Sequence, residues 1–174
     1  MSRSAADASS VTVCCQTSFS SNAVKRLPER MGVYADSSFL VSCYIIDVNT
    51  PLARAYLSEH DLPLVFTALH DLEVRNALRL GVFREVLTQE EAIAATANLD
   101  ADLRAGRLER TTVAWPVVFR LASRLSGQHA VVTGTRSLDI LHVATAKALR
   151  LNELASFDIR QRALGAAAGM TNAV

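Results

Sequence analysis

The sequence lacks any long apolar segment, any large excess of charge of one sign and any complete set of paired cysteines. Its longest apolar runs, such as residues 39–46, are far shorter than the roughly 20 residues that a membrane-spanning helix needs. We therefore expect no membrane span. Aromatic residues make up only 6% of the chain, and no series of them suggests a surface that stacks on nucleobases.

Cysteine usage argues against a secreted, disulfide-linked protein. Cys14, Cys15 and Cys43 include no CxxC pair, and their odd number leaves no complete disulfide framework. Residues 1–30 have no sustained apolar segment behind basic residues, so they do not resemble a secretory signal. These features predict a reducing, cytoplasmic location, with Cys43 as a small buried residue.

Charge is nearly balanced, at a formal net value of +1. Residues 31–174 hold 14 of the 18 basic residues and 15 of the 17 acidic ones. The chain therefore has no global basic surface, and any binding to nucleic acid must come from a local group of arginines together with metal ions. A GxxxxGK[ST] loop and a GxSxG elbow are both absent, so ATP and serine-hydrolase chemistry have no support in the sequence.

Length and composition predict one domain preceded by an extension. Residues 1–30 are rich in serine and poor in large apolar groups, which predicts a disordered segment. Half of the residues in the chain are apolar and can build a core. Residues 31–174 alternate short apolar runs with helical patterns. That alternation is typical of an α/β domain with a mostly parallel sheet.

The alternation predicts the following elements. Strands are expected over residues 32–35, 64–67, 108–113 and 154–157, and the last few residues could add an edge strand. Helices are expected over residues 39–46, 51–59, 68–80, 89–105, 115–125, 138–150 and 159–168. Thr88 and Glu91 form a capping-box pattern, Ser126 and Gly127 are expected to close the fifth helix, and Ser137 is a candidate N-cap.

Four acidic residues occupy positions that invite a chemical explanation. Asp36 and Asp158 are each predicted to follow a strand directly, where ligands collect in open parallel sheets. Asp139 lies in the first turn of a strongly apolar helix, and Glu73 lies within another apolar helix. Buried charges are costly unless they are paired or bound to a metal. Carboxylates are suitable ligands for Mg²⁺, which could activate water against a phosphodiester.

The sequence resembles the PIN-domain nucleases, especially the VapC-type toxins of bacterial toxin–antitoxin pairs. The resemblance covers residues 31–174 and rests on four motifs: VYADSS over 33–38, LEVRNAL over 72–78, LDILHVATA over 138–146 and LASFDIRQ over 154–161. Family members commonly carry a hydroxyl residue two positions before the last acid, and Ser156 occupies that position. The long segment before the first strand departs from the family's usual pattern.

The resemblance implies a fold, a site and an activity. The implied fold is a three-layer α/β/α sandwich on a mostly parallel sheet. The implied site comprises Asp36, Glu73, Asp139 and Asp158 around Mg²⁺ or Mn²⁺, with Ser38 and Ser156 in support. The implied activity is an endoribonuclease that hydrolyses RNA and acts as the toxin beside a cognate antitoxin. Such nucleases commonly form homodimers.

Simpler explanations exist for each residue alone. Asp36 and Asp158 could be N-caps, Asp139 could only favour the helix dipole, and Glu73 could pair with Arg75 or Arg79. His142, a lone histidine on a buried helix, is interpreted as a core residue outside the site.

Two other functions remain as alternatives to the nuclease. One is a PIN-like module that binds RNA or a partner without cutting it. The other, a haloacid-dehalogenase-type phosphatase, is disfavoured because its DxD pattern is absent at residues 36–38.

Overall fold

A computed structural model describes residues 32–60 and 63–174, so the predicted disordered extension (residues 1–30) lies outside the described residues. The strands are short: β1 Val33–Ala35, β2 Leu64–Phe66, β3 Leu108–Arg110, β4 Glu153–Ala155 and β5 Thr171–Asn172. The helices make up most of the fold: α1 Ser37–Tyr44, α2 Thr50–Glu59, α3 Ala68–Phe83, α4 Gln89–Arg104, α5 Trp115–Thr133, α6 Ser137–Ala148 and α7 Ile159–Ala167.

Every strand pair in the described chain is parallel. Strand β4 pairs with β1 and with β5, and β2 pairs with β3. Strand β1 also lies against β2, so the strands run across the molecule in the order β3, β2, β1, β4, β5. In this register Ala35 lies opposite Ala155. The strands form two hydrogen-bonded sheets, β1–β4–β5 and β2–β3, and within each sheet the carboxyl ends of the strands meet at one edge. The predicted edge strand at the C-terminus is confirmed.

Helices cover both faces of the strands. Tyr34 and Leu154 point into a core formed with α5, α6 and α7, whereas the next residues along, Ala35 and Ala155, belong to a second core formed with α1 to α4. Successive strand residues face opposite sides, which explains this division. The predicted three-layer α/β/α fold is thus confirmed.

The predicted end of α5 and the predicted N-cap of α6 are wrong. Helix α5 does not end at Ser126 and Gly127 but continues to Thr133, and Gly134 ends it with a φ of 64° in the left-handed region. One glycine inside a helix costs only about 1 kcal/mol, and the packing of α5 on α6 offsets that cost. Ser137 is the first residue of α6 rather than its N-cap, because Arg136 occupies the N-cap position.

Strands β3 and β4 end earlier than predicted. Strand β3 ends at Arg110 because its partner β2 ends at Phe66 and α3 begins two residues later, which leaves residues 111–113 without a strand to pair with. Strand β4 ends at Ala155, so Asp158 does not follow it directly as predicted. Ser156 takes that position, directly opposite Asp36.

Two further expectations concern burial and the membrane. Cys43 is buried in the core beside α1 to α4, as predicted. No helix within the described residues is both long enough and apolar enough to cross a lipid bilayer.

The course of α5 can be tested with two glycine-to-alanine substitutions. Gly127→Ala is expected to raise the free energy of unfolding by about 0.5–1 kcal/mol, because the added methyl group meets nothing within 4 Å and removes backbone entropy from the unfolded chain. Gly134→Ala is expected to lower it by a similar amount, about 1 kcal/mol, because alanine is strained at positive φ. Urea unfolding of both variants would measure the difference, and effects of the same sign would contradict the observed helix.

Candidate functional site

Asp36 is a buried carboxylate at the junction of β1 and α1. Only 2% of the residue is exposed. Its Oδ1 accepts hydrogen bonds from the Phe39 N–H and the Ser38 hydroxyl, both at 2.8 Å, and its Oδ2 accepts one from the Ser156 hydroxyl at 2.6 Å. Its own N–H donates to the Ala155 carbonyl at 2.9 Å. The side chain therefore caps α1 and also binds the segment after β4.

Ser38 and Ser156 connect Asp36 to residues 156–158. The Ser38 hydroxyl accepts a hydrogen bond from the Phe157 N–H at 3.2 Å, and the Ser156 hydroxyl accepts one from the Asp158 N–H at 3.1 Å. Each hydroxyl thus donates to Asp36 and accepts from the turn that carries Asp158. The two residues expected to support the site contact one of its acids and position the backbone of another.

Glu73 faces α1 and α6 rather than the surface arginines. Its Oε2 accepts a hydrogen bond from the Ser37 hydroxyl at 2.8 Å and contacts Nε2 of His142. Arg75 instead pairs with Asp71 at 3.0 Å and with Asp100 at 2.6 Å. The alternative pairing of Glu73 with Arg75 or Arg79 is therefore not found among the described residues. Ser37 directly follows Asp36 in the chain, so its hydrogen bond brings Glu73 close to the Asp36 segment.

Asp139 and Asp158 each use one carboxylate oxygen to accept hydrogen bonds from backbone N–H groups at the start of a helix. Oδ2 of Asp139 accepts a hydrogen bond from the Arg136 N–H at 3.0 Å. Oδ1 of Asp158 accepts hydrogen bonds from the Arg160 and Gln161 N–H groups at 2.8 and 2.9 Å. The N-cap role considered for Asp158 is thus present, and Asp139 accepts its hydrogen bond from the N-cap residue of α6. Each role occupies only one oxygen of the carboxylate.

The environments shift the carboxylate pKa values in different directions. Burial raises the pKa of Asp36, and the hydrogen bond from Ser156 opposes the shift. Burial also raises the pKa of Asp139, and the negative charge of Asp158 adds to that effect. Burial alone would raise the pKa of Glu73, but His142 and Ser37 together outweigh it and lower the pKa.

His142 is the site residue that the sequence interpretation missed. It lies one helical turn after Asp139 on α6 and is 2% exposed. Besides its contact with Glu73, its Nδ1 lies 2.9 Å from the Tyr34 hydroxyl, and its Nε2 lies 3.2 Å from the Ser37 hydroxyl. Its spacing of three residues from Asp139 was the available sign, because residues i and i+3 share a helix face.

The four acids offer oxygen atoms that suit a divalent cation, but their side chains are not grouped around one point. Oε1 of Glu73, Oδ1 of Asp139 and Oδ2 of Asp158 accept no hydrogen bond from any described residue. Oxygen donors of this kind suit Mg²⁺ and Mn²⁺. Within residues 32–60 and 63–174, however, no three His, Cys, Asp or Glu side chains are placed together so that they could hold a metal ion.

A cleft of about 350 Å³ opens at the carboxyl ends of β2 and β3. Arg110, Thr112 and Trp115 line it on one side, and the first turn of α3 lines it on the other. The Arg110 guanidinium lies 5.9 Å from the centre of the Phe66 ring and makes no ion pair with a described residue. The cleft therefore carries a cation and an aromatic ring, and Asp71 is the acidic residue among those that line it.

Comparison with known proteins adds no assignment. The sequence matches no protein-family model, and no curated protein matches it. The resemblance to PIN-domain nucleases therefore depends on the residues of the four motifs.

The opposite pKa shifts predict a change at both carboxyl groups in metal-free protein. The pKa of Asp36 is expected to lie above, and that of Glu73 below, the ordinary value of the same residue in a peptide. Because the folded pKa of Glu73 is lowered, its contribution to stability is present above its unfolded pKa and is lost as the pH falls through the folded value. Carboxyl-carbon NMR titration, assigned with Asp36→Asn and Glu73→Gln, would measure both directions. A lowered pKa at Asp36 or a raised pKa at Glu73 would contradict the arrangement.

Proposed function

We propose that this chain is a metal-dependent endoribonuclease of the PIN type, with Asp36, Glu73, Asp139 and Asp158 as its acidic site. The observation that carries the proposal is the linkage of these acids at one edge of the sheet. Ser37 joins Glu73 to the Asp36 segment, and Ser156 joins Asp36 to the Asp158 segment. Asp139 lies one helical turn before His142, which contacts Glu73. Oε1 of Glu73, Oδ1 of Asp139 and Oδ2 of Asp158 accept no hydrogen bond within the described part of the chain.

Each residue has a defined part in the proposed chemistry. When bound, Mg²⁺ or Mn²⁺ would lower the pKa of a ligand water and neutralise charge that develops on the scissile phosphate. Mg²⁺ commonly binds through one or two carboxylates, several waters and substrate phosphates, which is compatible with a site that is completed only with RNA. Asp36 is held in position by its three donors, and the free oxygens of the other three acids supply the remaining negative charge.

Arg110 is proposed to contact the RNA backbone beside the acidic site. The chain has little net positive charge, so phosphate binding must depend on individual cations. Arg110 is exposed at the end of β3, lines the cleft and lacks an ion-pair partner within the described residues. Trp115 is partly buried at the start of α5 and also lines the cleft, where its ring would stack on a single-stranded base.

Two protein partners are also proposed: a cognate antitoxin and a second copy of this chain. Large apolar side chains are exposed at the α3–α4 tip, where Phe83 is 82% and Val86 is 72% exposed. A second group lies along α5, where Val131 is 98% exposed. Exposed apolar patches commonly mark protein interfaces. A neighbouring small reading frame for a DNA-binding protein would favour the toxin role.

The nuclease proposal predicts metal-dependent cleavage that requires the acids. Purified protein is expected to cut a mixed panel of single-stranded and structured RNAs with Mg²⁺ or Mn²⁺, and EDTA should abolish the cleavage. Asp36→Asn and Asp139→Asn should each lower kcat by at least about 100-fold, the scale seen when a group that stabilises developing charge is removed.

Asp100→Asn is the matched control for this experiment. Asp100 is a half-exposed acid on α4 that pairs with Arg75, so its loss should leave cleavage nearly unchanged. Cleavage that persists in both site variants, or that resists EDTA, would contradict the proposal.

The proposed RNA contact predicts a change in salt dependence. Arg110→Ala is expected to weaken binding of single-stranded RNA and to reduce the slope of log K against log salt by about 0.7, the value for one phosphate contact. Arg124→Ala removes the same charge from an exposed position on α5 and should leave the slope unchanged. Fluorescence anisotropy with catalytically inactive Asp36→Asn protein would measure both slopes, and equal slopes for the two variants would exclude a specific role of Arg110.

A second candidate function is a module that binds RNA without cutting it. The observation that favours it is the lack, among the described residues, of three metal-binding side chains already grouped around one point. This second function would be supported if Arg110→Ala reduced the salt dependence of RNA binding and the unmodified protein cut no RNA.

A further inference from the structure

A buried hydrogen-bonded series runs from β1 through α6 to α3. The Tyr34 hydroxyl lies 2.9 Å from Nδ1 of His142, and Nε2 of the same ring contacts Oε2 of Glu73. Tyr34 is fully buried and His142 is 2% exposed. The rings of Tyr34 and His142 pack with their centres 5.7 Å apart, and His70 stacks on His142 at 5.1 Å. The imidazole is therefore fixed on its edges and on one face.

Elementary chemistry determines the hydrogen positions in this series. An ionised Glu73 only accepts hydrogen bonds, and the Ser37 hydroxyl already donates to its Oε2. Nε2 of His142 must therefore carry a hydrogen and donate it to the carboxylate. In a neutral ring Nδ1 is then an acceptor, and the Tyr34 hydroxyl donates to it. In a protonated ring only the direction of the Tyr34 hydrogen bond changes.

We infer that Tyr34 and His142 are positioning residues for Glu73. Tyr34 holds the imidazole so that its Nε2–H binds Oε2 of Glu73, which leaves Oε1 as the oxygen that binds a cation. The part of this inference that concerns cleavage rests on the proposed nuclease function. Residues that orient a metal-binding carboxylate through hydrogen bonds typically change metal affinity or activity 10- to 100-fold when replaced, and they do so without touching the metal.

The alternative is that Tyr34 and His142 only fill the core. A core role predicts that loss of the Tyr34 hydroxyl lowers stability and changes nothing else. The positioning role predicts a separate effect on metal binding, because Glu73 would then lose its fixed orientation. Stability and metal affinity therefore distinguish the two roles.

The experiment compares substitutions that change single atoms. Tyr34→Phe removes the hydroxyl and keeps the ring. His142→Gln keeps an N–H group near the place of Nε2, whereas His142→Asn keeps one near the place of Nδ1. Tyr44→Phe is the control, because it removes another buried hydroxyl that donates to Asp102 at 2.8 Å at the far end of α1. Each variant is tested in the full chain for Mn²⁺ affinity by calorimetry, for thermal stability and for RNA cleavage.

The expected result is selective. Tyr34→Phe and His142→Asn should weaken Mn²⁺ binding by about tenfold or more, with kcat for cleavage lowered by a similar factor and KM unchanged. His142→Gln should retain affinity close to that of the unmodified protein, and Tyr44→Phe should lose stability without losing affinity. Nitrogen NMR of neutral His142 should show hydrogen on Nε2 in the unmodified protein.

Two results would overturn the inference. One is hydrogen on Nδ1 of neutral His142 in the unmodified protein, because the imidazole could then not donate to Glu73. The other is an equal change of Mn²⁺ affinity in Tyr34→Phe and Tyr44→Phe. If the unmodified protein binds Mn²⁺ without cutting RNA, the nuclease proposal fails while the affinities still decide the roles of Tyr34 and His142.

Discussion

The pairing of β1 with β4 is the constraint on which the acidic site depends. It sets Ala35 opposite Ala155, so the next residue of each strand segment, Asp36 and Ser156, face each other across 120 residues of chain. A shift of one residue would turn every side chain to the other face of the sheet and would place Asp36 away from its donors. The burial of Tyr34 and Leu154 on one face and of Ala35 and Ala155 on the other specifies this register.

The positions that this pairing sets also give Asp36 and Glu73 opposite pKa shifts. Asp36 is deeply buried, and burial raises its pKa even though hydroxyl and N–H donors stabilise the anion. Glu73 is less buried and lies beside His142, which lowers its pKa. Such divergence between nearby acids is common where a site binds a cation or a charged substrate. Tyr34, which is buried on β1, contacts His142 and so links Glu73 to the strand that ends at Asp36.

Local patterns predicted the alternating fold, because strand and helix periodicities and the Thr88–Glu91 capping box are encoded in adjacent residues. The continuation of α5 through Gly127 could not be predicted from them, since packing on α6 outweighs the local preference. The acids Asp36 and Glu73 were identified from their motifs, but the contact of Glu73 with His142 joins residues 69 positions apart. Arg110 and Trp115 carry no motif, and only the fold brings them together in one cleft.

The most direct test of a cation site at these acids is the location of Mn²⁺ by anomalous scattering in crystals grown with the metal. The account predicts a peak within bonding distance of a carboxylate oxygen of Asp36, with free oxygens of Glu73, Asp139 or Asp158 as direct or water-mediated ligands. Its coordination should be octahedral and made of oxygen atoms. A peak only at other surface carboxylates, with these four acids unchanged at saturating Mn²⁺, would contradict the account.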